Sequence, residues 1–220
     1  MVNILFDCPN IDDFREELCE YLRPGMRVAV AALSFYDDYV NTPERWDSVY
    51  GEGGRDYVEI TDSLAVFGIK REDISFINYF TDTTESATGK IIGADAVYFT
   101  GGLPDRMMDR IREMGLCNVL SRFDGVVLGY SAGAVIQLDE YHLSPDADYP
   151  EFGYYEGLGY LSGFHIEVHY EHKPTQDEAI KRVLAERGGT VYVTHTRGGG
   201  VIFHGDHVEI IGMVDVYKAE

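Results

Sequence analysis

A serine between two glycines carries the clearest chemical pattern in the chain. Residues 129–133 read Gly-Tyr-Ser-Ala-Gly, which fits the G-x-S-x-G nucleophile elbow. The glycines two residues before and after Ser131 remove the Cβ atoms that would collide in a sharp strand-to-helix turn. Such a turn would present the Ser131 hydroxyl above a sheet, ready to attack a carbonyl carbon. The simpler alternative is a glycine-rich turn whose serine only caps the helix.

A serine hydroxyl is a poor nucleophile until a base removes its proton. Ligands of parallel α/β sheets bind at the carboxyl ends of the strands, so a histidine at a strand end is a suitable base. Of the seven histidines, His169 ends the strand-like run 164–169 and His195 ends the run 190–195. Position favours His169 over His195 as the general base.

Such a base is usually oriented by a carboxylate, which also stabilises the charged imidazole. Four acidic residues lie near the predicted base in the sequence, and spacing alone does not separate them: Asp146, Asp148, Glu167 and Glu171. Glu171 would share a face with His169 if the strand continued, and Asp146 lies in the segment between Ser131 and His169.

Stabilising an oxyanion requires two main-chain donors, one of them from the residue after the nucleophile. Ala132 supplies that donor. Gly101-Gly102, directly after a predicted strand, is the natural source of the second, because glycine lets the backbone approach closely.

A metal site is a weaker possibility. His165, Glu167 and His169 alternate along one predicted strand and would share one face. The chain has no phosphate-binding fingerprint and no cofactor motif, and we expect neither a metal nor a cofactor.

Strand-like and helix-like segments alternate along most of the chain. The strands are predicted at 2–6, 27–33, 74–80, 96–100, 126–128, 164–170 and 190–195, with a hairpin at 201–204 and 208–216. Helices are predicted at 12–21, 57–67, 84–92, 105–114, from 132 onward and at 175–187, with a long loop at 139–163. This order predicts an α/β fold, a mainly parallel sheet with helices on both faces. No linker or repeat divides the chain, so we expect one domain over residues 1–220.

Composition limits the function classes. The formal net charge is −20, from 38 acidic and 18 basic residues, which disfavours nucleic acid and anionic membranes and favours cationic or neutral ligands. No apolar run reaches the roughly 18 residues of a membrane span, and residues 1–8, interrupted by Asp7, do not fit a signal peptide. Cys8, Cys19 and Cys117 are best interpreted as reduced, mostly buried thiols. We therefore expect a cytoplasmic protein.

Four blocks follow one another between residues 98 and 170. They are Tyr-Phe-Thr-Gly-Gly at 98–102, Leu-Gly-Tyr-Ser-Ala-Gly-Ala at 128–134, Glu-Gly-Leu-Gly-Tyr-Leu at 156–161 and Glu-Val-His-Tyr at 167–170. In this order they resemble the peptidase E and cyanophycinase family of serine peptidases. The weaker βα pattern extends the resemblance over nearly the whole chain. It implies the fold of the class I glutamine amidotransferase domain, a flavodoxin-like α/β sandwich with the nucleophile on the elbow.

The resemblance also implies roles for individual residues. Ser131 matches the nucleophile, His169 the base, and Gly101 or Gly102 with Ala132 the oxyanion hole. Peptidase E-like members carry an aspartate about fifteen residues after the nucleophile, which Asp146 matches. Glu171 is the second choice, because amidotransferase domains use a glutamate two residues after the histidine.

The chain departs from the family pattern at three places. Leu103-Pro104 stands where peptidase E-like proteins usually have Asn after the Gly-Gly pair, and residues 175–182 have Gln and Ala where arginines are expected. The acidic residue of cyanophycinase-like members is absent at 195–197. Without a bidentate guanidinium for a substrate carboxylate, a preference for N-terminal aspartate is not expected. Arg182 and Arg197 are the remaining candidates for that role.

These features predict a serine hydrolase that cleaves peptide or amide bonds of small peptides through an acyl-enzyme, as a monomer or homodimer. The alternative is a binding or regulatory protein that keeps the amidotransferase-like fold with reduced or no catalysis. Amidotransferase-like ammonia release is weaker, because it normally uses cysteine at the elbow. An α/β-hydrolase esterase would need a later histidine, since only 38 residues separate Ser131 from His169.

Overall fold

The computed structural model describes residues 1–219, apart from the side chain of Arg197. The strands are β1 Val2–Phe6, β2 Val28–Ala31, β3 Ile74–Ile77, β4 Ala96–Phe99, β5 Val126–Tyr130, β6 Glu140–Leu143, β7 Gly153–Glu156, β8 Phe164–Tyr170, β9 Thr190–His204 and β10 His207–Lys218. The α-helices are α1 Arg15–Leu18, α2 Pro43–Tyr50, α3 Arg55–Ala65, α4 Thr84–Ile92, α5 Pro104–Glu113, α6 Cys117–Leu120, α7 Ala132–Val135 and α8 Pro174–Arg187. Short 3-10 helices cover Ile11–Phe14 and Arg71–Asp73.

One eight-stranded sheet organises these elements. Its order is β10-β9-β1-β5-β4-β2-β3, and β8 also pairs with β9. The pairs from β1 through β5, β4 and β2 to β3 are parallel, as is β8 with β9, whereas β9 is antiparallel to β1 and β10. The carboxyl ends of β1 and β5 therefore lie side by side at one edge of the sheet.

The central strands are apolar because both of their faces are covered. On one face α4, α5, α6 and α7 pack on the sheet through residues such as Ile91, Met107 and Leu120. On the other face α1, α2 and α3 do so through residues such as Leu18, Trp46 and Leu64. The predicted α/β architecture, a mainly parallel sheet between two helical layers, is confirmed.

The segment predicted as a long loop at 139–163 contains a hairpin instead. β6 and β7 pair antiparallel, and the rings of Tyr141 and Tyr155 stack at 5.6 Å. Tyr141 is buried, so the hairpin covers one end of the core. Its prolines and glycines dominate the sequence pattern, which hides the two short strands.

The glycine run at 198–200 does not interrupt the sheet, so the predicted break after His195 is wrong. β9 continues through it. Glycine is required at these positions, because a Cβ at Gly199 would lie 2.4 Å from the Met213 oxygen and one at Gly200 would lie 2.8 Å from the Leu5 oxygen. Glycine here permits close packing of β9 against its neighbours.

Two smaller predictions also need correction. The predicted helix 12–21 is a 3-10 turn followed by the single turn of α1. The three thiols are free, as expected, but Cys19 and Cys117 are exposed rather than buried.

Candidate active site

The elbow forms as a tight junction between β5 and α7. Ser131 adopts φ 52° and ψ −115°, a strained conformation for a residue with a side chain. A Cβ at Gly129 would lie 2.2 Å from the Gly133 oxygen, and one at Gly133 would lie 2.2 Å from the Phe99 oxygen. Only glycine fits either position, which explains the sequence pattern physically.

His169 faces the nucleophile. Its Nε2 lies 2.7 Å from the Oγ of Ser131, within hydrogen-bond distance. The β8–β9 register shifts between Glu167 and Tyr170, and His169 itself has φ 56°. This irregularity turns the imidazole out of the strand pattern and toward the elbow.

Backbone strain is concentrated around this pair. Within residues 1–219, the non-glycine residues with positive φ are Ser131, His169 and His172. Such conformations persist only where the surrounding structure enforces them, and they cluster at functional sites.

Asp7 is the carboxylate that contacts the imidazole. Its Oδ1 lies 3.4 Å from Nδ1 of His169 and accepts the main-chain N–H of His169 at 2.5 Å. The hydroxyl of Thr194 lies 3.3 Å from the same oxygen. Asp7 follows β1 directly and is 1% exposed, so its charge acts in a medium that screens it little.

The pKa of His169 is raised above its ordinary value. Partial burial alone would lower this pKa, but the hydrogen bond and charge of Asp7 outweigh it, with smaller contributions from Glu167 and Glu171. A raised pKa makes the imidazole a stronger base for the serine proton.

The two carboxylates expected as the third member lie elsewhere, which corrects that expectation. Asp146 accepts the main-chain N–H groups of Asp148 and Tyr149 and so closes a turn. Glu171 is exposed and pairs with Lys173 at 2.6 Å. The irregularity after Glu167 removes the regular alternation that would have placed Glu171 beside His169.

The other candidates on β8 have different partners. Glu167 accepts a hydrogen bond from Nε2 of His142 at 2.8 Å, whereas His165 packs beside the His142 ring. His165, Glu167 and His169 therefore do not share one face of β8, as the sequence predicted they would. In the described part of the chain, no three His, Cys, Asp or Glu side chains are grouped to hold a metal ion.

His195, the alternative base, lies apart from the elbow. Its Nε2 contacts Asp215 at 2.9 Å, and its ring packs on Tyr170. Such contacts are common for a polar side chain on a strand, and neither of them involves Ser131.

The predicted oxyanion donors line the same cleft as Ser131. Among described groups, the N–H groups of Gly102 and Ala132 have no protein acceptor. A Cβ at Gly102 would lie 2.2 Å from the Ser34 oxygen, which fixes this turn against the loop after β2. Gly101 packs against the ring of Tyr130. Burial raises the pKa of Tyr130 to about 12, and the main chain of Gly101 opposes this rise to a smaller extent.

The cleft above the elbow has a volume of about 660 Å³. The hairpin segment contributes Asp146, Asp148 and Tyr149 to its wall, and the hydroxyl of Tyr36, which also lines the cleft, donates to Asp148 at 2.7 Å. Its size suits a short peptide or another small molecule rather than a folded protein.

No described arginine side chain lines this cleft. Arg182, one of the two candidates for a substrate carboxylate, pairs with Glu186 at 2.9 Å and lies over the Phe152 ring. The side chain of Arg197, the other candidate, lies outside the described part.

Asp7 is the site residue that the sequence patterns missed. The available signal was its place directly after a buried strand, at the sheet edge where parallel α/β folds bind ligands. That signal is weak, because many strands end in a polar residue.

Two bacterial proteins of known structure are among those with the same fold. A protein assigned to peptidase E from Listeria monocytogenes EGD-e has a TM-score of 0.66 and 18% identity, over 97% of this chain and 100% of that one. A peptidase from an acI-B1 Actinobacterium has a TM-score of 0.63 and 14% identity, over 100% of this chain and 90% of that one. These similarities confirm the fold predicted from the resemblance, the class I glutamine amidotransferase-like sandwich.

The search of curated proteins found no match. Among the described helices, none is both long enough and apolar enough to cross a membrane.

The model of Peptidase family S51 matches residues 55–211, well over half of the chain. The match covers the Gly-Gly turn, the elbow and His169, and it supports a peptidase function. The chain belongs to Peptidase family S51.

Proposed function

We propose that this chain is a serine-type peptidase that hydrolyses peptide or amide bonds of small peptides. The observation that carries the proposal is the 2.7 Å approach of His169 Nε2 to Ser131 Oγ on a strained elbow. In this proposal Ser131 is the nucleophile and His169 the general base. Asp7 takes the orienting role that the sequence assigned to Asp146 or Glu171.

The chemistry proceeds in two halves. Ser131 Oγ attacks the carbonyl carbon of the substrate while His169 Nε2 accepts the hydroxyl proton. The same imidazole then donates this proton to the leaving amine, and an acyl-enzyme remains on Ser131. Water, deprotonated by His169, attacks the ester carbonyl, and the imidazolium returns the proton to Ser131 Oγ as the acid product leaves.

The main chain stabilises the charge that develops on the carbonyl oxygen. Ala132 N–H follows the nucleophile directly, and Gly102 N–H, or that of Gly101, supplies the second donor from the turn after β4. Donors fixed in place before the reaction need no reorganisation, and removing one typically costs about 100- to 1,000-fold in kcat.

Asp7 holds the imidazole in its productive orientation. It accepts the main-chain N–H of His169 and faces Nδ1, so the proton sits on Nδ1 and Nε2 is left free to accept one. Its negative charge also stabilises the imidazolium that forms when Ser131 is deprotonated.

Hydrolysis of a library of dipeptides, tripeptides and amino-acid amides tests the proposal. We expect turnover of some members, and a loss of at least about 1,000-fold in kcat for Ser131→Ala. Ser121→Ala, an exposed serine at the end of α6, is the matched control and should hydrolyse the same substrates at the wild-type rate. Equal hydrolysis by Ser131→Ala and wild type would contradict the proposal, and no hydrolysis by either would favour the non-catalytic alternative.

A further inference from the structure

Glu167 is a carboxylate held at the cleft by two donors. Its Oε2 accepts hydrogen bonds from Nε2 of His142 at 2.8 Å and from the hydroxyl of Ser144 at 2.7 Å. The residue is 4% exposed and lines the cleft two positions before His169. Two donors on one oxygen fix the orientation of the carboxylate.

The second oxygen of this carboxylate is unused. No described group donates to Oε1 of Glu167, and Oε1 is not one of the fully buried polar atoms that lack a partner. Oε1 therefore keeps some exposure, and Glu167 lines the cleft. An oriented carboxylate oxygen with no protein donor is a strong acceptor for a charged donor on a ligand.

Most of the other charged side chains on the cleft are carboxylates. Asp146, Asp148 and Glu171 also line it. Lys173 is the cationic residue, apart from histidines, among the described residues that line the cleft, and it already pairs with Glu171. Together with the formal charge of −20, this arrangement disfavours an anionic substrate group and attracts a cationic one.

We propose that Glu167 forms a subsite for a cationic nitrogen group of the substrate, a protonated amine or a guanidinium, bound by Oε1. This subsite rests on the proposed function in one respect only, which is that the scissile carbonyl of the substrate lies at Ser131. The cation comes either from a basic side chain or from the α-ammonium group of the peptide.

Four matched peptides distinguish these two sources. Lys and norleucine, in an otherwise identical peptide, are each combined with a free and with an acetylated N-terminus. The Lys and norleucine pairs test the side chain, and the free and acetylated pairs test the α-amine. We expect wild type to prefer the cationic member of at least one pair by about 10- to 100-fold in kcat/KM, the usual worth of a hydrogen bond to a charged group.

Glu167→Gln removes the charge but keeps an oxygen acceptor for His142 and Ser144, so the fold should be retained. This variant should abolish the preference, measured as the ratio of kcat/KM between the cationic and the neutral member of each pair. Glu178→Gln, an exposed residue of α8, changes the net charge equally and should keep the preference. A wild-type enzyme that cleaves all four peptides equally well, or a preference that survives Glu167→Gln, would overturn the subsite.

Binding separates failure of the subsite from failure of the proposed function. Calorimetric titration of Ser131→Ala with the same four peptides needs no turnover. Tighter binding of the cationic peptides that disappears in the Ser131→Ala, Glu167→Gln double variant would support the subsite even if no peptide is hydrolysed. Equal binding of cationic and neutral peptides would contradict it, whatever the hydrolysis assay shows.

Discussion

At the scale of single residues, Asp7 controls the charge state of His169. Its buried carboxylate is the main group that raises the imidazole pKa against the effect of partial burial. Because only the neutral imidazole can accept the serine proton, the rate should rise with pH as His169 loses its proton.

Asp7→Asn should therefore move the acid limb of the kcat/KM profile to lower pH. Removing the negative charge lowers the pKa of His169, so the base becomes neutral at a lower pH. The maximal rate should nevertheless fall by about 100-fold or more, because an amide stabilises the imidazolium poorly and can fix the wrong tautomer. Steady-state kinetics from pH 5 to 9 measure both effects.

Asp146→Asn distinguishes this assignment from the one the sequence favoured. Asp146 closes a turn and does not contact the imidazole, so its replacement should leave the acid limb in place. A shifted limb in Asp146→Asn together with an unshifted one in Asp7→Asn would contradict the role of Asp7.

The sequence could reveal some of these residues and not others for a physical reason. The glycines that make the elbow are local, within two positions of Ser131, and His169 ends a recognisable strand. The contact between Asp7 and His169 joins residues 162 positions apart. It depends on how β1 and β8 are placed in the sheet, which no local pattern encodes.

At the scale of elements, the β5–α7 junction depends on the absence of two side chains. The strand and the short helix approach so closely that Gly129 and Gly133 each lie against a carbonyl oxygen. The strained Ser131 conformation is maintained by this packing rather than by the residue's own preference.

Gly133→Ala should destabilise the protein by several kcal/mol, because its Cβ would lie 2.2 Å from the Phe99 oxygen. Gly89→Ala is the matched control. Gly89 is an exposed position in α4 with open space around it, so alanine there should stabilise by about 0.5–1 kcal/mol. Urea denaturation of both variants measures the difference. A Gly133→Ala protein as stable as wild type would show that the junction is less rigid than described.

Element boundaries were predictable where the pattern was regular. α4 and β8 have the predicted limits, because turn-forming residues flank each of them and each has one hydrophobic periodicity. β9 was divided in the prediction because its glycines were interpreted as a break, whereas they serve close packing between strands. The β6–β7 hairpin was missed because its strands are four residues each.

At the scale of the whole molecule, acid stability should depend on a buried histidine. His165 is 6% exposed, and burial, with a smaller effect of His142, lowers its pKa to about 4. In the unfolded chain its pKa is near 6.5. As pH falls from 6.5 to 4, the unfolded state therefore binds a proton that the folded state does not, and the free energy of unfolding decreases.

His165→Leu should remove this part of the pH dependence. Between pH 7 and pH 4 wild type should lose up to roughly 3 kcal/mol more than the variant, from the linkage of this one group. Urea unfolding of both proteins at several pH values checks the expectation. Parallel stability curves for the two proteins would mean that His165 is protonated in the folded state as easily as in the unfolded one.

The overall architecture followed from the sequence because alternating strands and helices leave few ways to cover a parallel sheet. The structure also brings Ser131 and His169 together at the carboxyl ends of the strands, where such sheets bind ligands. Their catalytic roles stay predictions. The extent of one domain over residues 1–220 stays a prediction.

Covalent labelling tests the central claim most directly, because it requires only an activated serine and no knowledge of the substrate. Incubation with a fluorophosphonate, followed by intact-mass measurement and peptide mapping, should give a single adduct on Ser131. The adduct should be absent in Ser131→Ala and form at least about 100-fold more slowly in His169→Ala. A wild-type protein that stays unlabelled, or carries its label on another residue while Ser131 stays free, would contradict the account.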